Sequence, residues 1–266
     1  MTVQDALGRG DLRTAIDRAG VAVRDRPLDA AARSTLVDLL GFAGDWARAE
    51  KQVEMLADAP GGDTYRALVR AGRDRAAFFG GGAPPPPWVV GPPAWAGPHL
   101  SACEHLRRGD HEAARADLDA VEAAREDARG TVAGAEFAGL RDLDDRLGPV
   151  LELVGAGGYG WVAWEDVRFL DVAPPEALRD LLWAPARVAL AGGPIGWAYL
   201  PTVYPGSEAA AAPLQLGRAT DWREAGPGLA AGLGLKVFLA GERSLGLFEV
   251  RDLRINPPGG EPAAGG

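Results

Sequence analysis

Small and apolar residues recur every three or four positions along the first third of the chain, which is the spacing of one face of an α-helix. Ala15, Ala19 and Ala22 would lie on one such face and allow a neighbouring helix to approach closely. Pro27 would end that helix, because proline lacks an amide hydrogen and clashes with the preceding turn. The pattern predicts that paired helices fill this part of the chain.

A Gly-Asp pair repeats between the predicted helices. Gly10-Asp11 recurs 34 positions later as Gly44-Asp45, and a third copy stands at Gly109-Asp110. A period of 34 residues is typical of tetratricopeptide repeats, in which each helix pair buries its apolar face against the next pair. The sequence therefore predicts a tetratricopeptide-like helical-repeat domain over residues 1–147.

Two segments of this domain depart from the repeat. Residues 80–98 contain runs of three glycines and four prolines, so they are predicted to form a loop with polyproline character. The stretch from about Val132 to Arg146 predicts one more helix, which would end at Gly148-Pro149.

From residue 148 the pattern changes to runs rich in aromatic and β-branched residues, which indicates strands. Gly192-Gly193 and Gly241-Glu242 each separate two such runs, as the turn of a β-hairpin does. The predicted fold class is α+β, with the helical-repeat domain followed by a small strand-rich, β-barrel-like domain over 148–256. Most of the tryptophans in this half are expected to fill its core. A tail at 257–266, rich in Gly, Pro and Ala, is predicted to be disordered.

Composition and charge narrow the functional classes. The formal net charge is -9, so nucleic acids and anionic membranes are not expected as partners, whereas a basic segment would be attracted. Cys103 is the only cysteine, so no disulfide can form within the chain and a reducing compartment is favoured. Neither a long apolar stretch nor a basic-then-apolar N-terminus is present, so no transmembrane helix or signal peptide is expected. These features predict a cytoplasmic protein.

Three features of the sequence could form a nucleotide, metal or acid–base site, and each has a more ordinary structural explanation. Residues 155–160 read Gly-Ala-Gly-Gly-Tyr-Gly, the spacing of a dinucleotide site, but a predicted strand follows, which favours a hairpin turn. His99, Cys103 and His105 could belong to a metal site, but no second ligand pair stands elsewhere. The acidic pair Asp144-Asp145 fits a solvated face paired with arginines, because adjacent side chains point apart. We therefore expect no enzyme activity, no metal and no cofactor, with nucleotide binding at 155–160 as the alternative.

Four segments of the C-terminal half resemble a known family when they are taken in order. They are residues 145–152 (DRLGPVLE), 179–188 (RDLLWAPARV), 201–208 (PTVYPGSE) and 219–222 (ATDW). The opening residues 6–12 (ALGRGDL) are also similar to the start of that family. The set resembles the ImpE/TagJ family, accessory proteins of bacterial type VI secretion.

The resemblance implies a non-enzymatic adaptor. Some members of the family bind the N-terminal helix of the small contractile-sheath subunit, and the family is thought to link the sheath to the ClpV-type ATPase that recycles it. The same two partners are therefore expected here. A generic tetratricopeptide-like scaffold with an unrelated peptide partner is the alternative.

The first predicted partner surface is the concave side of the helical array, where an amphipathic helix could lie. Aligning the repeats places four residues there: Gln4, Ser34, Asp38 and Phe42.

The second predicted surface is the loop at 201–208, which carries Tyr204 and Glu208, together with Trp222. A patterned loop on a rigid scaffold indicates either a binding surface or a packing clasp, meaning a loop that holds two parts of the fold together.

Overall fold

The computed structural model describes residues 1–257, so nearly all of the predicted tail at 257–266 lies outside the described residues. Seven α-helices come first: α1 (Val3–Gly8), α2 (Leu12–Asp25), α3 (Ala30–Phe42), α4 (Trp46–Val53), α5 (Gly62–Phe79), α6 (Ala96–Arg108) and α7 (His111–Ala124). Across residues 1–257, none of the helices combines the length and the apolar character needed to cross a membrane.

The three Gly-Asp pairs all form the same helix-to-helix turn. Gly10, Gly44 and Gly109 have left-handed backbones with φ of 74°, 67° and 77°, which glycine adopts without steric strain. The aspartate after each glycine caps the next helix, because its side chain accepts a hydrogen bond from the amide three residues further on. The recurring turn is therefore confirmed, and the two helices that flank each turn pack together. The tetratricopeptide assignment of the array stays a prediction.

The helix predicted from Val132 to Arg146 is wrong, because this stretch forms strands and turns. β1 (Arg129–Val132) and β2 (Ala135–Ala138) make a hairpin. Its two turn residues, Ala133 and Gly134, have positive φ values of 50° and 78°. Two-residue turns of this kind connect antiparallel strands and cannot continue a helix. The first strand therefore lies before the domain boundary that was predicted at residue 148.

The remaining strands complete three antiparallel sheets. They are β3 (Leu140–Asp142), β4 (Val150–Gly155), β5 (Gly158–Ala163), β6 (Val167–Val172), β7 (Trp183–Leu190), β8 (Gly196–Pro201), β9 (Thr220–Gly226), β10 (Leu229–Gly234), β11 (Val237–Ala240), β12 (Arg243–Gly246) and β13 (Leu253–Ile255). The hairpins predicted at Gly192-Gly193 and Gly241-Glu242 are β7–β8 and β11–β12, so both are confirmed.

The α+β fold class is confirmed, with one large antiparallel sheet in the strand-rich part. Its eight strands have the order β2-β1-β13-β6-β7-β8-β4-β5. Because β2 and β5 end this series, the sheet is open and the expected barrel-like closure is wrong for the described strands. A smaller sheet has the order β12-β11-β3, and β9 and β10 form a two-stranded ribbon.

The proline-rich segment covers one edge of the large sheet. Trp88 pairs with Trp161 of the edge strand β5. The Val89 amide donates to the Trp161 carbonyl, and the Trp161 amide donates to the Pro87 carbonyl, both at 2.9 Å. Gly160 permits this approach, because a Cβ there would lie 2.8 Å from Val89 Cγ2 and 2.9 Å from the Pro87 oxygen. The segment thus removes an edge that would otherwise be open to pairing with other chains.

One apolar core joins the helices to the strand-rich part. It contains Leu39 of α3 and Phe78 of α5 together with buried residues of β4, β5 and β7. A second core is built from residues of the eight-stranded and three-stranded sheets. The core-filling role predicted for most C-terminal tryptophans is confirmed for three of five: Trp161, Trp164 and Trp183 are buried, whereas Trp197 and Trp222 are 69% and 40% exposed.

Candidate partner-binding cleft

A cavity of about 240 Å³, which we call the cleft, opens between the helices and the strand-rich part. Residues of α3, α4 and α5 line one side, and the loop after β8 lines the other. Its large apolar lining residues are Phe42, Trp46, Phe79, Leu182 and Trp183. Its charged lining residues are Arg75, Arg146, Glu208 and Arg223.

Glycines allow the helical wall of the cleft to pack tightly. A Cβ at Gly72 of α5 would lie 2.3 Å from the Trp46 ring, and a Cβ at Gly41 of α3 would lie 2.5 Å from Leu182. A side chain at either position would overpack the wall. The Trp46 ring therefore lies against α5, and its centroid is 6.3 Å from that of Trp183. The two tryptophans form the apolar wall of the cleft.

The loop after β8 forms the opposite wall and is held by its own hydrogen bonds. The Ser207 hydroxyl donates to the Tyr204 carbonyl at 2.7 Å, and the Glu208 carboxylate accepts from the Gly206 amide at 3.1 Å. The Glu208 side chain also packs over the α3–α4 turn, where a Cβ at Gly44 would lie 2.8 Å from it. The loop therefore makes the contacts of a packing clasp, one of the two roles that the sequence left open, and it also lines the cleft.

A buried network of charged side chains lies beneath the cleft. The Tyr204 hydroxyl donates to Asp142 at 2.9 Å, and the Lys236 ammonium bridges Asp142 and Glu152 at 3.0 and 2.8 Å. Arg75 donates to both oxygens of Glu152 through Nε and Nη2, at 2.7 and 2.8 Å. Two parallel bonds between a guanidinium and a carboxylate fix both position and orientation. The network therefore ties α5 to β4 and to the start of β11.

A second ion pair places Arg146 at the cleft. Its Nε donates to Asp144 Oδ1 at 2.9 Å, and its Nη2 bonds to Asp144 Oδ2. Two guanidinium groups lie over the Phe79 ring: Arg75 Cζ and Arg146 Cζ are 5.7 and 5.6 Å from its centroid. Pairing of Asp144 with an arginine is thus confirmed. Its assignment to a solvated face is wrong, because the Gly232 amide of β10 covers it at 2.9 Å.

Burial and pairing move the pKa values of two network carboxyls in opposite directions. Burial raises the pKa of Asp142, because the Lys236 ammonium offsets only part of the lost solvation. Burial also opposes ionisation of Glu152, but the positive charges of Arg75 and Lys236 outweigh it and hold its pKa well below the usual range. Together with the neighbouring Arg146–Asp144 pair, these groups comprise three basic and three acidic side chains. The basic ones are Arg75, Arg146 and Lys236, and the acidic ones are Asp142, Asp144 and Glu152.

A second cavity, of about 410 Å³, adjoins the cleft. The two share three lining residues, Phe79, Arg146 and Arg223. The second cavity is also lined by Arg107, His111 and Glu224. Arginine side chains therefore line both cavities.

Four of the seven predicted partner-binding residues meet at the cleft. Phe42, Tyr204 and Glu208 line it, and the Trp222 ring packs against the Tyr204 ring with centroids 5.7 Å apart. Phe42 and Tyr204 are buried, so a partner would reach them only through the cleft, whereas Glu208 and Trp222 are exposed. Their role in binding a partner stays a prediction.

The other three predicted residues lie away from the cleft. Gln4 is exposed on α1, and Ser34 is half-buried on α3. Asp38 is buried on α3, where the Tyr65 hydroxyl donates to its carboxylate at 3.4 Å. A short 3-10 helix, Leu178–Leu181, packs on this part of α3. The face of α3 that was expected to be concave and open is therefore covered at Asp38.

Replacing Asp38 should make stability less dependent on pH. Burial raises the pKa of Asp38 to about 8, and Arg179 offsets only part of this effect while Asp180 adds to it. The folded carboxyl therefore binds its proton more tightly than the unfolded one, so this residue lowers stability as the pH rises from about 4 to about 8. We expect Asp38→Asn to raise the free energy of unfolding by about 1–3 kcal/mol at pH 8, with a gain that shrinks toward pH 4.

Urea denaturation followed by circular dichroism, at about pH 5, 6.5 and 8, measures this difference. Asp17→Asn is the matched control, because Asp17 is exposed on α2. An Asp38→Asn gain that stays constant across this pH range would show that Asp38 is already ionised in the folded protein.

The two motif hypotheses have clear structural outcomes. The glycine-rich stretch is the turn of the β4–β5 hairpin, with Gly155 paired to Gly158, so the predicted turn is confirmed. A strand follows it, so it lacks the helix N-terminus on which a dinucleotide site depends. His99 is buried against Trp95 and Trp161. Among residues 1–257, no group of three His, Cys, Asp or Glu side chains is placed to hold a metal ion.

The fold and the cleft together define a class of protein: a helical N-terminal part and a strand-rich C-terminal part that share a core and enclose an opening between them. The crystal structure of a protein from Vibrio parahaemolyticus has the same fold, with a TM-score of 0.87 and 28% sequence identity. The match covers 96% of this chain and 97% of that chain.

Sequence comparisons identify the family. The family described as ImpE protein matches residues 134–254. A Pseudomonas aeruginosa protein named type VI secretion system accessory component TagJ is 36% identical over 268 residues, which cover 97% of this chain and 92% of that protein. The chain therefore belongs to the ImpE/TagJ family. The four sequence segments that occur in the family's order in the C-terminal half had predicted this membership.

Proposed function

We propose that this protein is a non-enzymatic accessory component of bacterial type VI secretion, an adaptor whose cleft binds the N-terminal helix of the small contractile-sheath subunit. The observation that carries the proposal is the 36% identity, over 97% of the chain, to a relative named as an accessory component of that system. Acting in the cytoplasm, the adaptor would assist assembly of the sheath or its recycling by the ClpV-type ATPase.

The shape of the cleft supports binding of a helix more than binding of a free small molecule. Its volume of about 240 Å³ lies below the roughly 300–1,000 Å³ of most small-molecule pockets, so it suits one or two anchoring side chains. An amphipathic helix binds a groove by inserting such apolar anchors. The wall formed by Trp46 and Trp183 offers them an apolar surface.

Blocking the cleft should abolish binding without unfolding the protein. Ala76 and Ala67 are both exposed on α5, and only Ala76 lines the cleft. We expect Ala76→Trp to weaken binding of the purified small sheath subunit at least about tenfold, which corresponds to about 1.4 kcal/mol. The matched control Ala67→Trp should bind within about twofold of the native chain, since substitutions away from an interface have small effects.

Co-purification followed by titration calorimetry makes the measurement, using the sheath subunit with and without its N-terminal helix. The proposal fails if the native chain does not bind the intact subunit, or if deletion of the helix leaves binding unchanged. Equal weakening by both tryptophan variants would place the binding site outside the cleft.

A further inference from the structure

The structure points to an acidic ligand for the cleft. We propose that the bound segment packs a large apolar side chain against Trp46 and Trp183 and presents a carboxylate to Arg146 and Arg223. This inference rests on the proposed function and deepens it, because it names the chemistry by which the cleft recognises its partner.

Arg75, which is buried, and Arg146, which is partly buried, each have one side-chain nitrogen without a hydrogen-bond partner in the described part of the protein. Arg75 bonds to Glu152 and to the Val203 carbonyl through Nε and Nη2, and Arg146 bonds to its partners through the same two atoms. Among the described residues, Nη1 of neither arginine has a hydrogen-bond partner, although Arg75 is only 9% exposed. Neither Nη1 is a fully enclosed unpaired atom, so each remains accessible and can donate to an acceptor on a ligand in the cleft.

Arg223 contributes a positive charge at the cleft that no carboxylate of the described residues neutralises. It is exposed on β9, lines both cavities, and makes no ion pair or side-chain hydrogen bond within residues 1–257. Arg75 and Arg146, by contrast, are already paired with buried carboxylates. A carboxylate placed between Arg146 and Arg223 would therefore gain one uncompensated positive charge and a guanidinium fixed in orientation by its internal bonds.

The cleft offers guanidinium donors to a ligand although the chain as a whole is acidic. Four arginines line the two cavities, but Arg75, Arg107 and Arg146 are paired with Glu152, Glu104 and Asp144, so of the four only Arg223, beside Glu208 and Glu224, has no ion-pair partner among the described side chains. The formal net charge of -9 led to the expectation of a basic partner segment, but the charged groups at a binding site decide which segment is accepted there. A carboxylate of the segment would thus be attracted by individual donors, namely Arg223 and Nη1 of Arg146, which are unpaired in the part of the chain that the structure describes, and not by a net positive charge of the cleft.

The apolar wall and the arginines lie together, which sets the pattern expected in the bound helix. The Phe79 ring lies next to the guanidinium groups of Arg75 and Arg146 and lines both cavities, so the apolar and cationic surfaces adjoin. Helix residues three or four positions apart point to the same side. The recognised helix would therefore carry a large apolar residue and an acidic residue at that spacing.

Charge reversal at Arg223 tests the inference. The probe is the purified small sheath subunit, and its affinity is measured by titration calorimetry with the native chain, Arg223→Glu and Arg243→Glu. Arg243 is the matched control, because it is also exposed on a strand but lines neither cavity. We expect Arg223→Glu to weaken binding at least about tenfold and Arg243→Glu to stay within about twofold of native. Equal affinities for the two variants would overturn the inference while leaving the proposed function intact.

A second experiment tests the preference for an acidic ligand without using the sheath subunit. Two designed fluorescent helical peptides share a tryptophan and differ only in bearing Glu or Lys four positions away. The native chain should bind the Glu peptide at least about tenfold more tightly, and Arg223→Glu should abolish or reverse this preference. If the sheath subunit fails to bind, the proposed function is wrong, and the two peptides alone test whether the cleft prefers an acidic ligand. A preference for the Lys peptide, or no preference, would then overturn the inference.

Discussion

Replacing Glu152 with glutamine is expected to lower the free energy of unfolding by about 3–5 kcal/mol, because it leaves Arg75 and Lys236 buried beside an uncharged side chain. Glutamine keeps the shape of glutamate, so the loss would come from charge and not from a cavity. Because the folded pKa of Glu152 lies below its unfolded value, its stabilisation is present above the unfolded pKa of 4.5. It is lost only as the pH falls through the folded value.

The matched control is Glu50→Gln, which removes a glutamate from an exposed pair with Arg73. Exposed ion pairs contribute about 0–1 kcal/mol, so the control should change little. Adding Arg75→Met to Glu152→Gln should recover part of the loss, because the second change removes one of the stranded charges. Urea denaturation near pH 7 measures all three variants. Similar losses for Glu152→Gln and Glu50→Gln would show that the network is not buried as described.

Removing the Trp161 side chain should have a comparably large effect, a loss of about 3–5 kcal/mol. Trp161 is fully buried on β5, and its ring lies 5.2 Å from Phe78, 6.0 Å from Trp88 and 5.5 Å from His99, measured between centroids. These neighbours belong to α5, to the proline-rich segment and to α6. Trp161→Ala would therefore leave a cavity where three separate parts of the helical half meet the sheet.

Trp197→Ala is the control for this prediction, because it deletes the same side chain from a residue that is 69% exposed. We expect it to change stability by no more than about 0.5 kcal/mol. Each variant retains seven of the eight tryptophans, so both are followed by the same far-ultraviolet dichroism signal in urea. An unfolding midpoint for Trp161→Ala that matches the native chain would contradict the central position assigned to this ring.

The two predictions address the same structural question, which is how the helices are held on the strand-rich part. The ion pair of Arg75 with Glu152 and the packing of Phe78 on Trp161 both connect α5 to adjacent strands of the large sheet. The cleft lies beside these contacts, so its geometry depends on them. A helix inserted in the cleft would touch both parts at once and would stabilise the folded protein by mass action.

The misassigned stretch at 132–146 shows where local patterns are insufficient. Small and charged residues there fit a helix by spacing, but Gly134 and Gly139 interrupt the stretch and Gly130 lies just before it. A Cβ at Gly130 would lie 1.8 Å from the Arg254 oxygen of β13, so glycine is needed for a strand contact with the other end of the chain. The glycines were the sequence feature that argued against a helix here. The strand that requires Gly130, β13, is distant in sequence and could not be inferred from the local pattern.

The sequence by itself determined the features whose cause is local. The Gly-Asp turns form because glycine adopts positive φ and aspartate caps the next helix, and the glycine hairpins form because their turns need the same freedom. Only the tertiary structure decided the cleft and the charge network. Arg75 and Glu152 are 77 positions apart, and Asp142 and Lys236 are 94 apart. No local spacing encodes such pairs, because burial in a shared core brings them together and makes each charge depend on its partner.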